Sequence, residues 1–293
     1  MGFLALLLVC TADNPGDTLA KKMFPIYVKE AEAYKMVVES APDKPLELKK
    51  EPVFEWSNPT REGLQQGVVF LWLRDGRPAA LGSVFSQPEE KLSGRRIVHE
   101  FHALDPEKLV VTRPGENQWK PQVGLARAAL PGAQIPAESP AARLLQMRRL
   151  AQEFSGYSNN EEQKRWDLRL LPTPLFRYPA AKTGVVDGAL FALVSTAGTD
   201  PEVLLLIEAR EEGGKMRFEY ACGRFSDRDL HVTRMDKEIW SSVRSEANAF
   251  GHDPQHLYRL YADKVVSLDG KLLARVRTTP SIWWGEAIPV DEK

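Results

Sequence analysis

Cysteine is almost missing from this chain. Only Cys10 and Cys222 occur among 293 residues, which excludes a disulfide framework and any zinc or redox site built on paired Cys-x-x-Cys motifs. Cys222 stands in Tyr220-Ala-Cys-Gly with no histidine beside it, so the sequence places it as a buried structural thiol. A surplus of charge is also lacking, since 39 basic residues offset 40 acidic ones. A balanced chain has no overall attraction for nucleic acid or anionic lipid. Beyond Val9 no apolar run reaches the length of a membrane helix. Short catalytic signatures are lacking too. The chain has no Gly-x-Ser-x-Gly elbow, no P-loop, no Gly-x-Gly-x-x-Gly after a strand, no His-Glu-x-x-His and no EF-hand loop. No cofactor is implied.

Gly2-Phe-Leu-Ala-Leu-Leu-Leu-Val-Cys10 is one short apolar run. It is too short to span a bilayer and fits the core of a signal peptide, with residues 1–12 removed after Ala12. The basic segment that usually precedes such a core is missing. Acylation of Cys10 as a lipoprotein needs a small residue before it, and Val9 does not fit.

The chain also repeats itself. Leu46-Glu-Leu48-Lys-Lys-Glu-Pro52-Val-Phe54-Glu-Trp56 matches Leu168-Arg-Leu170-Leu-Pro-Thr-Pro174-Leu-Phe176-Arg-Tyr178 at a shift of 122 residues. Gly67-Val-Val-Phe70 matches Gly188-Ala-Leu-Phe191 at 121, and Val111-Thr-Arg113 with Trp119 matches Val232-Thr-Arg234 with Trp240, again at 121. Three matches in one order indicate a repeated unit, which speaks to architecture and hardly to chemistry.

Periodicity fills in the unit. Residues 17–40 read as helical, with Ala31, Tyr34 and Val38 at helical spacing. Strands are expected at 46–56, 68–74, 79–86, 96–102 and 109–113, with Asp75-Gly76 as a hairpin turn. Ser139-Pro140 is an N-cap followed by a first-turn proline, opening a second helix that should end near Gly156. Val68–Leu73 and Ala189–Val194 are apolar without alternation, which requires cover on both faces. Gly213-Gly214 and Asp269-Gly270 read as further hairpin turns. The expected fold is α+β: a tandem, pseudo-twofold duplication of a helix plus antiparallel β-meander, with a C-terminal β-hairpin capping an edge. The expected segments are the signal peptide 1–12, an N-terminal helix and first β repeat over 13–120, a linker and second helix over 121–165, a second β repeat over 166–241, and an irregular stretch with the hairpin over 242–293.

Chemistry has few places to reside. In His99-Glu100-Phe101-His102 the strand alternation sends His99 and His102 to opposite faces, so they cannot share a metal ion. His99 joins Ile97 and Phe101 on the apolar face. Glu100 and His102 share the other face, and at a shift of 119 Glu219 repeats Glu100. Glu100, His102 and Glu219 are therefore the candidate general acid–base residues, against the plainer reading of a solvated, salt-bridged face. His252-Asp-Pro-Gln-His256 offers His252, Asp253 and His256 as metal ligands, but the Asp-Pro disfavours one helix through both histidines. Glu208 and Arg210 lie on one strand face as a charge pair. Among the seven tryptophans, Trp56, Trp119 and Trp240 read as packing residues, and the pair Trp283-Trp284 as a tail folded back or a sugar-stacking surface.

The apolar N-terminal run, the strand 168–178, Asp187-Gly-Ala-Leu-Phe191 and Gly198-Thr-Asp-Pro-Glu-Val-Leu-Leu-Leu-Ile-Glu-Ala-Arg210 together resemble a family of uncharacterised exported bacterial proteins. The resemblance implies export and carries no activity or catalytic residue. The expectation is an exported, non-catalytic protein with a binding or envelope-structural role and a protein or glycan partner. The alternatives are a hydrolase-like enzyme using the Glu/His pair and a carbohydrate-binding module using exposed tryptophans.

Overall fold

The structure is a computed structural model that describes residues 15–58, 64–115, 118–160, 162–180, 184–196, 198–243, 257–279 and 282–290. Helix α1 (Pro15–Glu32) leads into β1 (Lys35–Val38), β2 (Ala41–Pro45), β3 (Glu47–Asn58), β4 (Gln65–Arg74), β5 (Arg77–Glu89), β6 (Gly94–Ala103) and β7 (Leu109–Thr112). A short β8 (Ala128–Ala129) precedes α2 (Pro140–Ala151). Then follow β9 (Phe154–Asn159), β10 (Arg165–Leu170), β11 (Phe176–Ala180), β12 (Val185–Ser195), β13 (Pro201–Glu212) and β14 (Lys215–Arg224). The chain closes with β15 (Asp229–Arg234), β16 (Lys237–Ser242), β17 (Tyr258–Val266), β18 (Leu272–Thr279) and β19 (Ile282–Pro289).

These strands form two large antiparallel sheets. The first sheet has the order β19-β18-β17-β6-β5-β4-β3, and the second runs β16-β15-β9-β10-β12-β13-β14-β8 with β11 also on β12. A small sheet β2-β1-β7 stands apart. Of the described residues, 59% are in strands and 12% are helical. The α+β expectation is therefore wrong: the molecule is mostly β, with large curled sheets in place of a small meander behind each helix.

The expected C-terminal hairpin is present: β17 pairs antiparallel with β18 and adds to the β6 edge of the first sheet. β17 pairs along β6 from Tyr258↔His102 to Val266↔Arg95, and β18 and β19 continue the sheet outward. The end of the chain thus supplies three strands of the first sheet. The expected helix over 17–40 stops at Glu32, and Lys35–Val38 is β1, paired with β7. Val37 and Val38 are β-branched and favour this extended pairing.

The two sheets pack face to face because their central strands have no polar side. In β12 and β13, Phe191, Leu193, Val203, Leu205 and Ile207 pack with Met147 and Leu150 of α2, while Leu190, Leu204 and Leu206 pack with the first sheet. Met23, Tyr27 and Ala31 of α1 cover the outer face of the first sheet. The Tyr27 hydroxyl there donates to the Gln66 carbonyl at 3.1 Å. Ser139 caps α2 as expected, its hydroxyl accepting from the Ala142 amide at 3.3 Å. No described helix is long and apolar enough to cross a membrane.

Prolines interrupt the edge next to β4 and β12. The β3–β4 ladder breaks between Lys49 and Phe54, around Pro52. The edge of β12 is split into β10 and β11 around Pro172 and Pro174. A proline has no ladder donor, so the strand bends away and rejoins. The matched residues hold matching registers. Leu48 lies across from Trp72 as Leu170 lies across from Leu193, and Trp56 lies across from Gly67 as Tyr178 lies across from Gly188. The glycines are needed there: a Cβ on Gly67 would sit 3.0 Å from the Trp56 ring, and one on Gly188 only 2.4 Å from the Tyr178 ring.

Candidate functional site

The acid–base candidates lie in the packed interior. Glu100 and His102 are on the face of β6 that meets the second sheet, 8% and 2% exposed, and Glu219 on β14 is 8% exposed. Burial pushes the Glu100 carboxyl well above the usual range, against the Tyr258 hydroxyl that donates to it, and Asp200, Asp227 and Glu202 push it further up. His102 Nδ1–H donates to the Ala103 carbonyl at 2.8 Å. Burial lowers its imidazole to about 3, with Arg224 adding to the effect. A Cβ on Gly223 of β14 would touch the His102 ring at 3.1 Å. Glu219 is four residues from Gly223, roughly 13 Å along a strand, and it binds Arg217 at 2.6 Å and Arg210 at 3.2 Å. Glu100 and His102 thus share a face, and Glu219 is held elsewhere.

The strand register also separates Glu219 from Glu100. Gly67 lies across from Phe85, which lies across from Val98; Gly188 lies across from Glu208, which lies across from Glu219. Glu219 therefore occupies the position of Val98, and Ala221 that of Glu100. Val98 and Glu219 keep the 121-residue shift of the flanking matches, so the shift of 119 that sets Glu219 against Glu100 is two residues out of register.

His252, Asp253 and His256 lie outside the described residues. A different trio, Glu30, His99 and Asp263, brings its ligand atoms within 4.8 Å of one another. Its carboxylates are already charge-paired. Arg113 binds Glu30 and reaches Asp263 at 2.9 Å, and Lys264 binds Glu30 at 2.5 Å. His99 Nε2–H donates to Asp263 at 3.1 Å. Burial keeps the His99 imidazole neutral by lowering its pKa, so this contact is a hydrogen bond and the cations supply the charge. Burial alone would raise Asp263, but His99, Arg113 and Lys264 outweigh it and hold the carboxyl low. Two fixed cations stand where a metal ion would bind.

Tryptophans give no exposed stacking pair among the described residues. Trp56, Trp72 and Trp119 are buried, and Trp166 and Trp240 half-buried. Arg228 stacks 3.6 Å over Trp166. The side chains of Trp283 and Trp284 lie outside the described residues. A second cavity, about 590 Å³, adjoins His102, Tyr220, Cys222 and Trp240. Burial raises the Cys222 thiol to about 12, so it holds its proton and is no nucleophile at neutral pH.

The charged cleft is of another kind. At one end of the sheet pair a cleft of about 630 Å³ is lined by Arg74, Arg77, Arg127 and Arg210 together with residues of β2. Behind the lining arginines, and paired with three of them, is Glu208, 1% exposed. Glu208 Oε1 accepts from Arg77 Nε and from the Tyr178 hydroxyl, both at 2.7 Å. Its Oε2 accepts from Arg210 at 3.1 Å and lies 3.4 Å from Arg127 Nε. Burial alone would raise the Glu208 carboxyl, but Arg77, Arg127 and Tyr178 outweigh it and the net shift is downward. Sequence reasoning paired Glu208 with Arg210 and missed Arg77 and Arg127. The only available signal was the Arg77 that follows the Asp75-Gly76 turn, where both turn residues take positive φ.

No protein-family model matches the chain, and no curated protein matches it. Among solved structures it is similar to a GH36 alpha-galactosidase from Geobacillus stearothermophilus in complex with raffinose. The identity is 10% and the TM-score 0.21, over 71% of this chain and 29% of the enzyme's. A likeness that weak says nothing about what this chain does.

Proposed function

We propose that this is an exported, non-catalytic binding protein whose ligand occupies the arginine-lined cleft. The observation that carries the reading is the cleft itself: about 630 Å³ and lined by four arginines, three of which converge on a buried carboxylate behind them. Pockets of a few hundred cubic ångströms with convergent polar groups are the usual form of small-ligand sites. The separation of Glu219 from Glu100 and His102 supports a non-catalytic role. The apolar run at residues 2–10 supports export.

Two measurements test it. The first is thermal unfolding against a panel of phosphorylated, carboxylated and neutral small molecules, with Ala41→Trp as the blocking variant, since Ala41 lines the cleft. A ligand at about 100 times its Kd adds roughly 2.7 kcal/mol, and the shift should vanish in the variant. A shift that survives Ala41→Trp moves the ligand elsewhere, and chemical turnover of a panel compound refutes the non-catalytic reading. The second is N-terminal sequencing of the protein from fractionated cells. A start at Asp13 outside the cytoplasm is expected, and Met1 retained in the cytoplasm defeats export.

A further inference from the structure

We infer that the cleft selects an oxyanion, a small molecule bearing a carboxylate or a phosphate, held by the guanidinium forks of Arg77 and Arg127. This rests on the reading of the cleft as a ligand site and adds the chemistry of the ligand. The first ground is donor arithmetic. Arg77 is 1% exposed, donates Nε to Glu208, and donates Nη1 to the carbonyls of Pro78 at 3.2 Å and Leu104 at 3.1 Å. Its Nη2 is buried with no acceptor, and so is Nη2 of Arg127. Arg127 Nε approaches Glu208 without hydrogen-bond geometry. Buried donors without acceptors are rare in folded proteins and are costly to keep unpaired. Two on adjacent guanidiniums lining one cleft describe a place for oxygen acceptors.

The second ground is charge. Arg74 is taken by Asp105 at 2.9 Å and Glu107 at 2.5 Å, and Arg210 is shared by Glu208 and Glu219. Among the described residues, Glu208 is the one carboxylate ion-paired with Arg77 and Arg127. Arg77 and Arg210 both push the Arg127 pKa down, after burial as the larger cause. An added anion relieves that repulsion. A planar guanidinium presents paired donors that match two oxygens of one carboxylate or phosphate, which a neutral hydroxyl cannot replace. Glu107, Asp75 and Glu47 at the rim repel larger polyanions, which limits the ligand to a small one.

The experiment is calorimetric titration of the full chain with inorganic phosphate, with succinate and with a neutral oligosaccharide, all at one ionic strength because screening alters such contacts. Arg127→Gln and Arg127→Lys are the variants, Arg127 lying on an irregular segment outside the strands. Phosphate or succinate should bind the natural protein at least tenfold more tightly than Arg127→Gln. Arg127→Lys should lie between them, keeping charge without the fork. Anion binding that Arg127→Gln and Ala41→Trp both leave unchanged overturns the inference. Oligosaccharide binding that Ala41→Trp abolishes, with no anion bound, keeps the cleft as a site and defeats the oxyanion. Absence of binding by any probe defeats both.

Discussion

At the scale of residues, the charges buried in this protein take partners from distant sequence. Arg77 and Glu208 are 131 residues apart. Removing Glu208 takes the paired carboxylate from Arg77 and Arg127 and leaves Arg210 only Glu219, so Glu208→Gln should cost about 3–5 kcal/mol of stability. Arg127→Gln removes a cation that its neighbours repel and should change ligand-free stability by less than about 1 kcal/mol. Urea unfolding of both variants and of the double variant checks this, the double recovering part of the Glu208→Gln loss. Equal losses from both single variants would refute the charge argument.

His102 gives a pH dependence. Its folded-state value of about 3 lies below the ordinary 6.5, so the unfolded chain takes up a proton that the folded chain refuses. The His102 contribution to stability therefore falls as pH drops below about 6.5, by an amount on the order of 4 kcal/mol by the time pH nears 3, while the raised Glu100 carboxyl acts in the opposite direction. Glu208 and Asp263 are held low, so their contributions are lost only at more acid pH, below about 4. Unfolding curves between about pH 7 and pH 5 should slope less in His102→Leu than in the natural protein; parallel slopes would assign the effect elsewhere. The sequence revealed that His99 and Glu100 face opposite ways, because alternation is local. It could not reveal that the Glu100 face is covered, because the cover is the other sheet.

At the scale of elements, glycine and aromatic act together. Tyr178 lies over Gly188 and carries its hydroxyl to Glu208. Gly188→Ala must displace the ring, at a cost of about 1–3 kcal/mol, and the same displacement pulls the hydroxyl from Glu208 behind the cleft. A lowered denaturation midpoint with weaker ligand binding is expected; an unchanged midpoint would mean that the ring has room to move. This pairing was legible, since Trp56 with Gly67 and Tyr178 with Gly188 recur at nearly one shift. The helix reading of residues 33–40 failed because Tyr34 and Val38 satisfy a helical spacing while Val37 and Val38 complete a strand. Pairing of β1 with β7 spans a long stretch of sequence that a local window does not see.

At the scale of the whole molecule, the two sheets share one core. Leu190, Leu204, Leu206 and Phe225 from the second sheet sit in the same cluster as Phe70, Leu81 and Val98 from the first. Thermal unfolding should show one transition by both fluorescence and circular dichroism, and two separated transitions would contradict the shared core. A chain ending at residue 243 lacks β17–β19 and should fail to give a soluble monomer, as size-exclusion chromatography would show.

The late arrival of β17 also orders events at the ribosome. Residues 154–242 hold nearly all strands of the second sheet, so that sheet can close while the first still waits. Until Tyr258 and the residues after it emerge, β6 offers a bare row of amides and carbonyls, the kind of edge that recruits other chains. A strand made after the whole second sheet is thus what seals the first, and a translation arrest before β17 releases a molecule prone to aggregate.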